Sequence, residues 1–353
     1  MKRSVKNSLR IELNINGFFN ILHYLIKILI ISNMPQENTM SPPAGVKLWL
    51  LAFRAYAFPA SIIPSIFGSV LAVYLVPGLK FKWLAFSLTV IGSVCAQILS
   101  NVVNDIYDYK KGIDKEDKEL GIPHGGSMVI SMGLVSIEQM RNAAIAVTII
   151  GILIGIYLYS VAGEMVLYLA LFAILSALLY TATPAALKYK ALGDIQVFVS
   201  FGMIITLGAF IIQTQTFSWL PVILSIPLGL LIDAILHSNN IRDINFDGKF
   251  GVKTLPILIG EPASRKFYYF LLLGAYAAVG IFCALQLLPY TALLCFVTLP
   301  IALKLCKMAD HFPKGVQERF DYGSKHIMMT AQLNMQFGLT MIIGILAWIL
   351  FIR

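Results

Sequence analysis

The chain has 353 residues, of which 58% are hydrophobic and only 13% charged. Soluble proteins carry about 25% charged residues, so this composition excludes an ordinary soluble domain and specifies a polytopic membrane protein. The net charge of +9 forms no compact patch with interleaved aromatics, so it reads as membrane topology and argues against nucleic acid as a partner.

Residues 1–45 form an extension. Lys2, Arg3, Lys6 and Arg10 precede a moderately apolar stretch, 15–31, interrupted by Asn16, Asn20, His23 and Lys27. No small-residue cleavage site follows it, which argues against a signal peptide. Two readings stay open: an amphipathic helix lying on the membrane, or an extension preceding a true start at Met34 or Met40. From Lys47 onward, apolar runs recur at lengths that cross about 30 Å of hydrocarbon. They fall near 47–76, 83–104, 140–161, 164–183, 192–213, 219–241, 266–287, 290–308 and 326–352, which predicts nine transmembrane helices. The basic residues test this count, because cytoplasmic loops are rich in Lys and Arg. Loop 2–3 and its flank hold Lys110, Lys111, Lys115, Lys118 and Arg141; loop 4–5 holds Lys188 and Lys190. Loop 6–7 holds Arg242, Lys249, Lys253, Arg265 and Lys266, and loop 8–9 holds Lys304, Lys307, Lys314, Arg319 and Lys325. The opposite side has only Lys80, Lys82 and Arg353. This asymmetry predicts a cytoplasmic N-terminus. The four cysteines, Cys95, Cys283, Cys295 and Cys306, lie in or beside apolar runs without metal-ligand spacing, as small core residues do.

Two acidic stretches end helices 2 and 6, on the same predicted face. The first is Asn104-Asp105-Ile106-Tyr107-Asp108-Tyr109-Lys110-Lys111-Gly112-Ile113-Asp114, and the second is Asn239-Asn240-Ile241-Arg242-Asp243-Ile244-Asn245-Phe246-Asp247. Charge is costly at such positions and marks function. On a helix Asp105 and Asp108 share a face, as do Asn239, Asp243 and Asp247. Paired carboxylates on two helix ends suit a shared Mg²⁺ site for a phosphorylated substrate, because Mg²⁺ takes a few carboxylates plus phosphate oxygens. The interval of four helices between the stretches predicts two four-helix pseudo-repeats around a central cavity.

These motifs resemble the UbiA superfamily of intramembrane prenyltransferases. Asn104-Asp105-x-x-Asp108 with Gly112-x-Asp114, and Asn239-Asn240-x-Arg242-Asp243-x-x-x-Asp247 with Lys253-Thr254-Leu255, are most similar to its MenA branch, the 1,4-dihydroxy-2-naphthoate prenyltransferases. Trp49-Leu50-x-x-Phe53-Arg54 leading to Pro59-Ala60-Ser61-Ile62-x-Pro64, Tyr180-Thr181-x-x-Pro184 leading to Leu192-Gly193-Asp194, and Gly202 also match that branch. The likeness covers about residues 46 to 350 and makes 46–353 one transmembrane prenyltransferase domain. The chain departs from the pattern at Pro123-His124-Gly125-Gly126-Ser127, where Arg is usual, and at Gly112, where many members have a third Asp.

The resemblance implies transfer of a polyprenyl group from its diphosphate to an aromatic acceptor, most similar to menaquinone synthesis. It implies two Mg²⁺ ions, one on Asp105 and Asp108 and the other on Asp243 and Asp247. Asn104, Asn240, Arg242, Lys253 and Lys188 would bind the diphosphate. Arg54 would hold the acceptor, and Tyr107 and Tyr180 would face the allylic cation. Asp114, Asp117 and Glu119 read equally well as a solvated loop, Lys110, Lys111 and Lys190 as topogenic more than catalytic charge, and His237 as polar packing, while His124 is a further site candidate. The partners implied are the two substrates and the lipid bilayer, in a multi-pass inner-membrane protein with a cytoplasmic site and no obligate protein partner. Other acceptors stay open: 4-hydroxybenzoate, homogentisate, a porphyrin or a lipid. A secondary transporter also stays open, since transporters place polar residues at broken helices, although here the acids gather at helix ends. The Asp-Gly-x-x-Ala-Arg signature of CDP-alcohol phosphotransferases is absent.

Overall fold

The computed structural model describes residues 43–113, 126–182 and 185–352. The extension up to residue 42, Asp114, Asp117, Glu119 and His124 lie outside the described residues. The described chain is all-helical, and its spans fall where the apolar runs predict them. They are α1 (Ala55–Leu75), α2 (Trp83–Lys111), α3 (Ile137–Ala162), α4 (Glu164–Leu179), α5 (Gly193–Thr214), α6 (Ile226–Asp247), α7 (Glu261–Ala284), α8 (Tyr290–Ala309) and α9 (Val316–Ile352). Seven are long and apolar enough to cross a membrane by themselves. The other two depart for visible reasons: α4 has only 16 residues, and α6 carries Asp233, His237 and the second acidic motif.

The first expected span, 47–76, is broken. A short helix, Gly45–Ala52, precedes α1, and between them Arg54 takes φ 54°. That left-handed backbone is unfavourable for a residue with a Cβ, and here it coincides with an ion pair from Arg54 to Asp105 of α2. Pro59 then opens the regular part of α1, where its missing N–H costs nothing.

Two apolar clusters hold the bundle. The larger joins α1, α5, α6, α7, α8 and α9 through residues such as Phe67, Leu71, Leu228, Leu231, Tyr268 and Phe337. The smaller joins α2, α3 and α4 to the short first helix through Ile98, Val102, Met140, Ala177 and Ala52. Ile149, Leu153 and Ile156 on α3, and Leu167, Leu171 and Leu175 on α4, remain exposed, which suits a surface solvated by lipid. Lipid tails are as apolar as leucine, so helices in a bilayer associate through close packing and interhelical hydrogen bonds. Both devices are present. A Cβ at Gly68 would fall 2.2 Å from the Thr206 carbonyl oxygen, so α1 and α5 cross backbone to side-chain-less backbone. At the α5–α6 crossing a Cβ on Gly202 would fall 2.5 Å from Gly229 Cα, where α5 widens into a π-helical turn, Phe198–Ile204. Ser61 Oγ donates to Gln97 Oε1 at 2.6 Å, and Gln97 Nε2 to the Ala57 carbonyl at 2.8 Å, stapling α1 to α2.

Gly68→Val is expected to overpack the α1–α5 crossing. Overpacking costs about 1–3 kcal/mol, which would appear as a lowered thermal midpoint in detergent. An unchanged midpoint would contradict the close crossing.

Candidate active site

The acidic ends of α2 and α6 meet beneath a small apolar cap. Ile113 from the end of α2, Ala186 and Tyr189 from the loop after α4, and Val252 beyond α6 pack together, with Phe250 against them. Lys253 N donates to the Tyr189 carbonyl at 3.3 Å, and Lys190 and Lys253 form a short parallel bridge. Three loops distant in sequence are thereby tied at one end of the bundle. Within the α4–α5 loop the chain folds back, so that Lys188 N donates to the Tyr180 carbonyl at 2.8 Å.

Under this cap the carboxylates are buried: Asp105 and Asp108 are 2% exposed, Asp243 3% and Asp247 7%. A buried charge needs a partner, and those of Asp105, Asp108 and Asp243 can be named. Asp105 accepts from Arg54 and from both the backbone N–H and the hydroxyl of Ser127. Arg54 also donates to Asn104 Oδ1 at 3.0 Å. Asp108 accepts from Asn104 Nδ2 and Lys188 Nζ, each at 2.8 Å, and from the Tyr189 hydroxyl. Asp243 accepts from Arg242 Nε at 2.6 Å and Nη2 at 2.7 Å, while Nη2 also reaches Asn239 Oδ1 at 2.8 Å. Lys188 joins the two motifs electrically. Burial works against its charge, but Asp108, Tyr180 and Asp247 outweigh burial and hold the ammonium above the usual lysine range. Tyr180 lies in the same field, together with Arg54, Asp108 and Asp194; burial chiefly pushes its hydroxyl up to about 12.

The structure therefore brings together Arg54, Asn104, Asp105, Asp108, Tyr180 and Lys188, places Asp247 in the field of Lys188, and pairs Arg242 with Asp243 on α6. Asn240 is buried on α6, and Lys253 takes part through its backbone at the cap. Tyr107 is placed elsewhere. It packs against the smaller apolar cluster, with the Lys110 ammonium 5.9 Å from its ring centre. The reason is helical geometry: residue 107 lies about 100° around the helix from Asp108 and about 200° from Asp105. His237 is buried polar packing of a specific kind, with Nδ1 2.7 Å from Asp194 Oδ1 and Nε2 3.1 Å from the Ser264 carbonyl.

Sequence reasoning passed over Tyr189 and Ser127. Tyr189 also carries the Lys111 ammonium 3.3 Å from its ring centre; its adjacency to Lys188 was the available signal. Ser127 closes over Asp105 because Gly126 leaves room, since a Cβ there would fall 2.2 Å from Asp105 Oδ1. The donor set suits Mg²⁺, being hard carboxylate oxygens in two pairs flanked by carboxamides. Among the described residues no three acidic, His or Cys side chains converge on one point.

The profile of the UbiA prenyltransferase family matches residues 61–328. The chain belongs to that family. It is a multi-pass membrane prenyltransferase. It is 33% identical over 306 residues to the UbiA prenyltransferase domain-containing protein 1 homolog of Drosophila melanogaster, covering 85% of this chain and 79% of that one. It is 33% identical over 227 residues to the 1,4-dihydroxy-2-naphthoate octaprenyltransferase of Bacillus subtilis (64% and 69% covered). The corresponding figures for the Escherichia coli protein of the same description are 31% over 290 residues, with 80% and 92% covered. In fold it is similar to a UbiA homolog from Aeropyrum pernix, with TM-score 0.59, 15% identity, and 84% and 98% of the two chains covered. A UbiA homolog from Archaeoglobus fulgidus, solved bound to DMAPP and Mg²⁺, matches with TM-score 0.53, 14% identity, and 81% and 98% covered.

Tyr189→Phe removes one donor from Asp108 and leaves the ring in place. A hydrogen bond to a charged group contributes about 1.5–3 kcal/mol net, so kcat/KM for a prenyl diphosphate is expected to fall about tenfold or more. Unchanged kcat/KM would remove Tyr189 from the site.

Proposed function

We propose that this prenyltransferase moves a polyprenyl group from its diphosphate to 1,4-dihydroxy-2-naphthoate, with Mg²⁺, at the cytoplasmic face of the cell membrane. The observation that carries the proposal is Lys188, half-buried, paired with Asp108 and in the field of Asp247. A fixed cation between two acidic motifs suits a diphosphate that both motifs share. The acceptor is supported by the likeness to the Bacillus subtilis and Escherichia coli 1,4-dihydroxy-2-naphthoate octaprenyltransferases, and the donor and metal by the Archaeoglobus fulgidus homolog solved with DMAPP and Mg²⁺. The cytoplasmic placement rests on the Lys and Arg content of the even-numbered loops.

The chemistry breaks an allylic C–O bond, and its electron pair leaves on the diphosphate. Asp105 with Asp108, and Asp243 with Asp247, would each hold one Mg²⁺, which when bound neutralises charge on the departing diphosphate. Lys188 and Arg242 hold positive charge beside that position before reaction begins, so little reorganisation is needed as charge develops. Lys188 acts as a point charge and Arg242 as a fork. Asn104 and Asn240 orient phosphate oxygens or water, and Lys253 adds charge at the cap. The Tyr180 ring offers a π-face to the allylic cation, and the apolar helices keep water away from it. The acceptor ring then supplies the electron pair for the new C–C bond, and the attacked carbon loses its proton to the released diphosphate, which restores the aromatic ring. Arg54 holds Asp105 while its buried Nε has no partner among the described residues; that donor suits the carboxylate of the acceptor.

Detergent-purified protein given Mg²⁺, a polyprenyl diphosphate, and dihydroxynaphthoate, 4-hydroxybenzoate or homogentisate in parallel is expected to prenylate only the naphthoate. EDTA should abolish turnover. Prenylation of another acceptor instead would discard the naphthoate and keep the class. Asp108→Asn and Asp243→Asn should each lose turnover while still inserting and folding; wild-type activity in either would sink the two-metal assignment.

A further inference from the structure

In the sequence, Arg319 reads as topogenic charge ahead of the last span. In the structure it is 6% exposed and reaches back to the backbone of α6. Its Nη2 donates to the Ile241 carbonyl at 2.7 Å and its Nε to the Arg242 carbonyl at 3.2 Å, immediately before Asp243. Its Nη1 donates to the Pro313 carbonyl at 3.3 Å, and Glu261 Oε2 lies 3.2 Å from Nη2. A guanidinium is costly to bury, and this one is spent on holding the backbone that carries the second acidic motif.

The next residues form the bed on which Arg242 rests. The Phe320 ring centre is 4.7 Å from the Arg242 guanidinium carbon. Ser324 Oγ accepts from Arg242 Nη1 at 3.3 Å. At Gly323 a Cβ would fall 2.5 Å from Arg242 Cγ and 2.9 Å from Cβ and Cδ, so only glycine lets the arginine stem lie flat on α9. The spacings 319/323 and 320/324 place these residues along one stripe of the helix. The seat decides where the guanidinium points. With its stem on Gly323 and its face on Phe320, Arg242 forks over Asp243 and touches Asn239.

We propose that the first two turns of α9 are the seat of the second acidic motif, with Arg319, Phe320 and Gly323 as positioning residues for the diphosphate end of the site. The proposal rests on the diphosphate reading above and adds residues outside both acidic motifs. The seat bears on the second motif, through Arg242, whereas Arg54, assigned to the acceptor, pairs with Asp105 of the first.

The test measures binding of geranyl thiolodiphosphate with Mg²⁺ by calorimetry, and both Michaelis constants, for the wild type, Phe320→Leu, Gly323→Ala and Phe320→Tyr. A cation–π contact of this kind corresponds to about five- to tenfold in affinity. Phe320→Leu and Gly323→Ala are therefore expected to weaken analogue binding by that factor and to raise KM for geranyl diphosphate in step. KM for the acceptor should hold in both variants and the thermal midpoint in Phe320→Leu, and Phe320→Tyr, which keeps the ring face, should restore wild-type binding. Wild-type analogue binding in the Leu and Ala variants would overturn the seat and leave the diphosphate reading standing. A joint rise of both KM values with a lowered midpoint would likewise overturn it, by showing general destabilisation. No analogue binding by the wild type would overturn the diphosphate reading and the seat with it.

Discussion

The active end of this protein depends on one constraint: carboxylates taken out of water at helix ends must each meet a cation or donor. Asp105 meets Arg54 from 51 residues earlier, and Asp108 meets Lys188 from 80 residues later. Those separations mean that neither pair exists before the bundle closes. Removing one partner from a buried pair leaves an uncompensated charge, which costs far more than an intact pair contributes. Folding and site assembly are for this reason one event at this end of the molecule. The break between the first short helix and α1 belongs to the same constraint, because Arg54 leaves helical geometry where it pairs with Asp105.

Away from that end the solvent is lipid, and a different physics holds the helices. Burying apolar side chains gains little against hydrocarbon, so the bundle relies on backbones that approach closely and on hydrogen bonds that cross between helices. The Gly68 and Gly202 crossings place α5 against α1 and α6, and α5 begins at the loop that carries Lys188. The Ser61–Gln97 staple does the same for α1 and α2, which bear Arg54 and Asp105 at or near their ends. Packing deep in the membrane thus sets the spacing of charges at its surface.

The two acidic motifs are alike in pattern and unlike in support. The first is held by side chains from three other segments: Arg54, Ser127, and Lys188 with Tyr189. The second pairs within itself, Arg242 with Asp243, and its orientation comes from α9 through Phe320, Gly323 and Ser324. Arginine adjacent to its own acid could point in several directions, so a neighbouring helix has to choose one.

The sequence by itself determined the membrane class, the positions of the spans, the two acidic motifs and the family they resemble. All of these are short-range: apolar run length, helical spacing of carboxylates, and the placement of Lys and Arg relative to the runs. Arg54, Lys188 and Tyr180 were also legible, through motifs beside helix ends. Only the tertiary structure decided who pairs with whom. It put Tyr107 on a packing face, since a helix cannot present residues 105, 107 and 108 to one point. It brought in Tyr189 and Ser127, and turned Arg319 from loop charge into a buried clamp on α6. Such roles arise from contacts across many residues of chain, which neither periodicity nor local spacing encodes, because a side chain's function here depends on which distant carboxylate or backbone it reaches once the helices have closed.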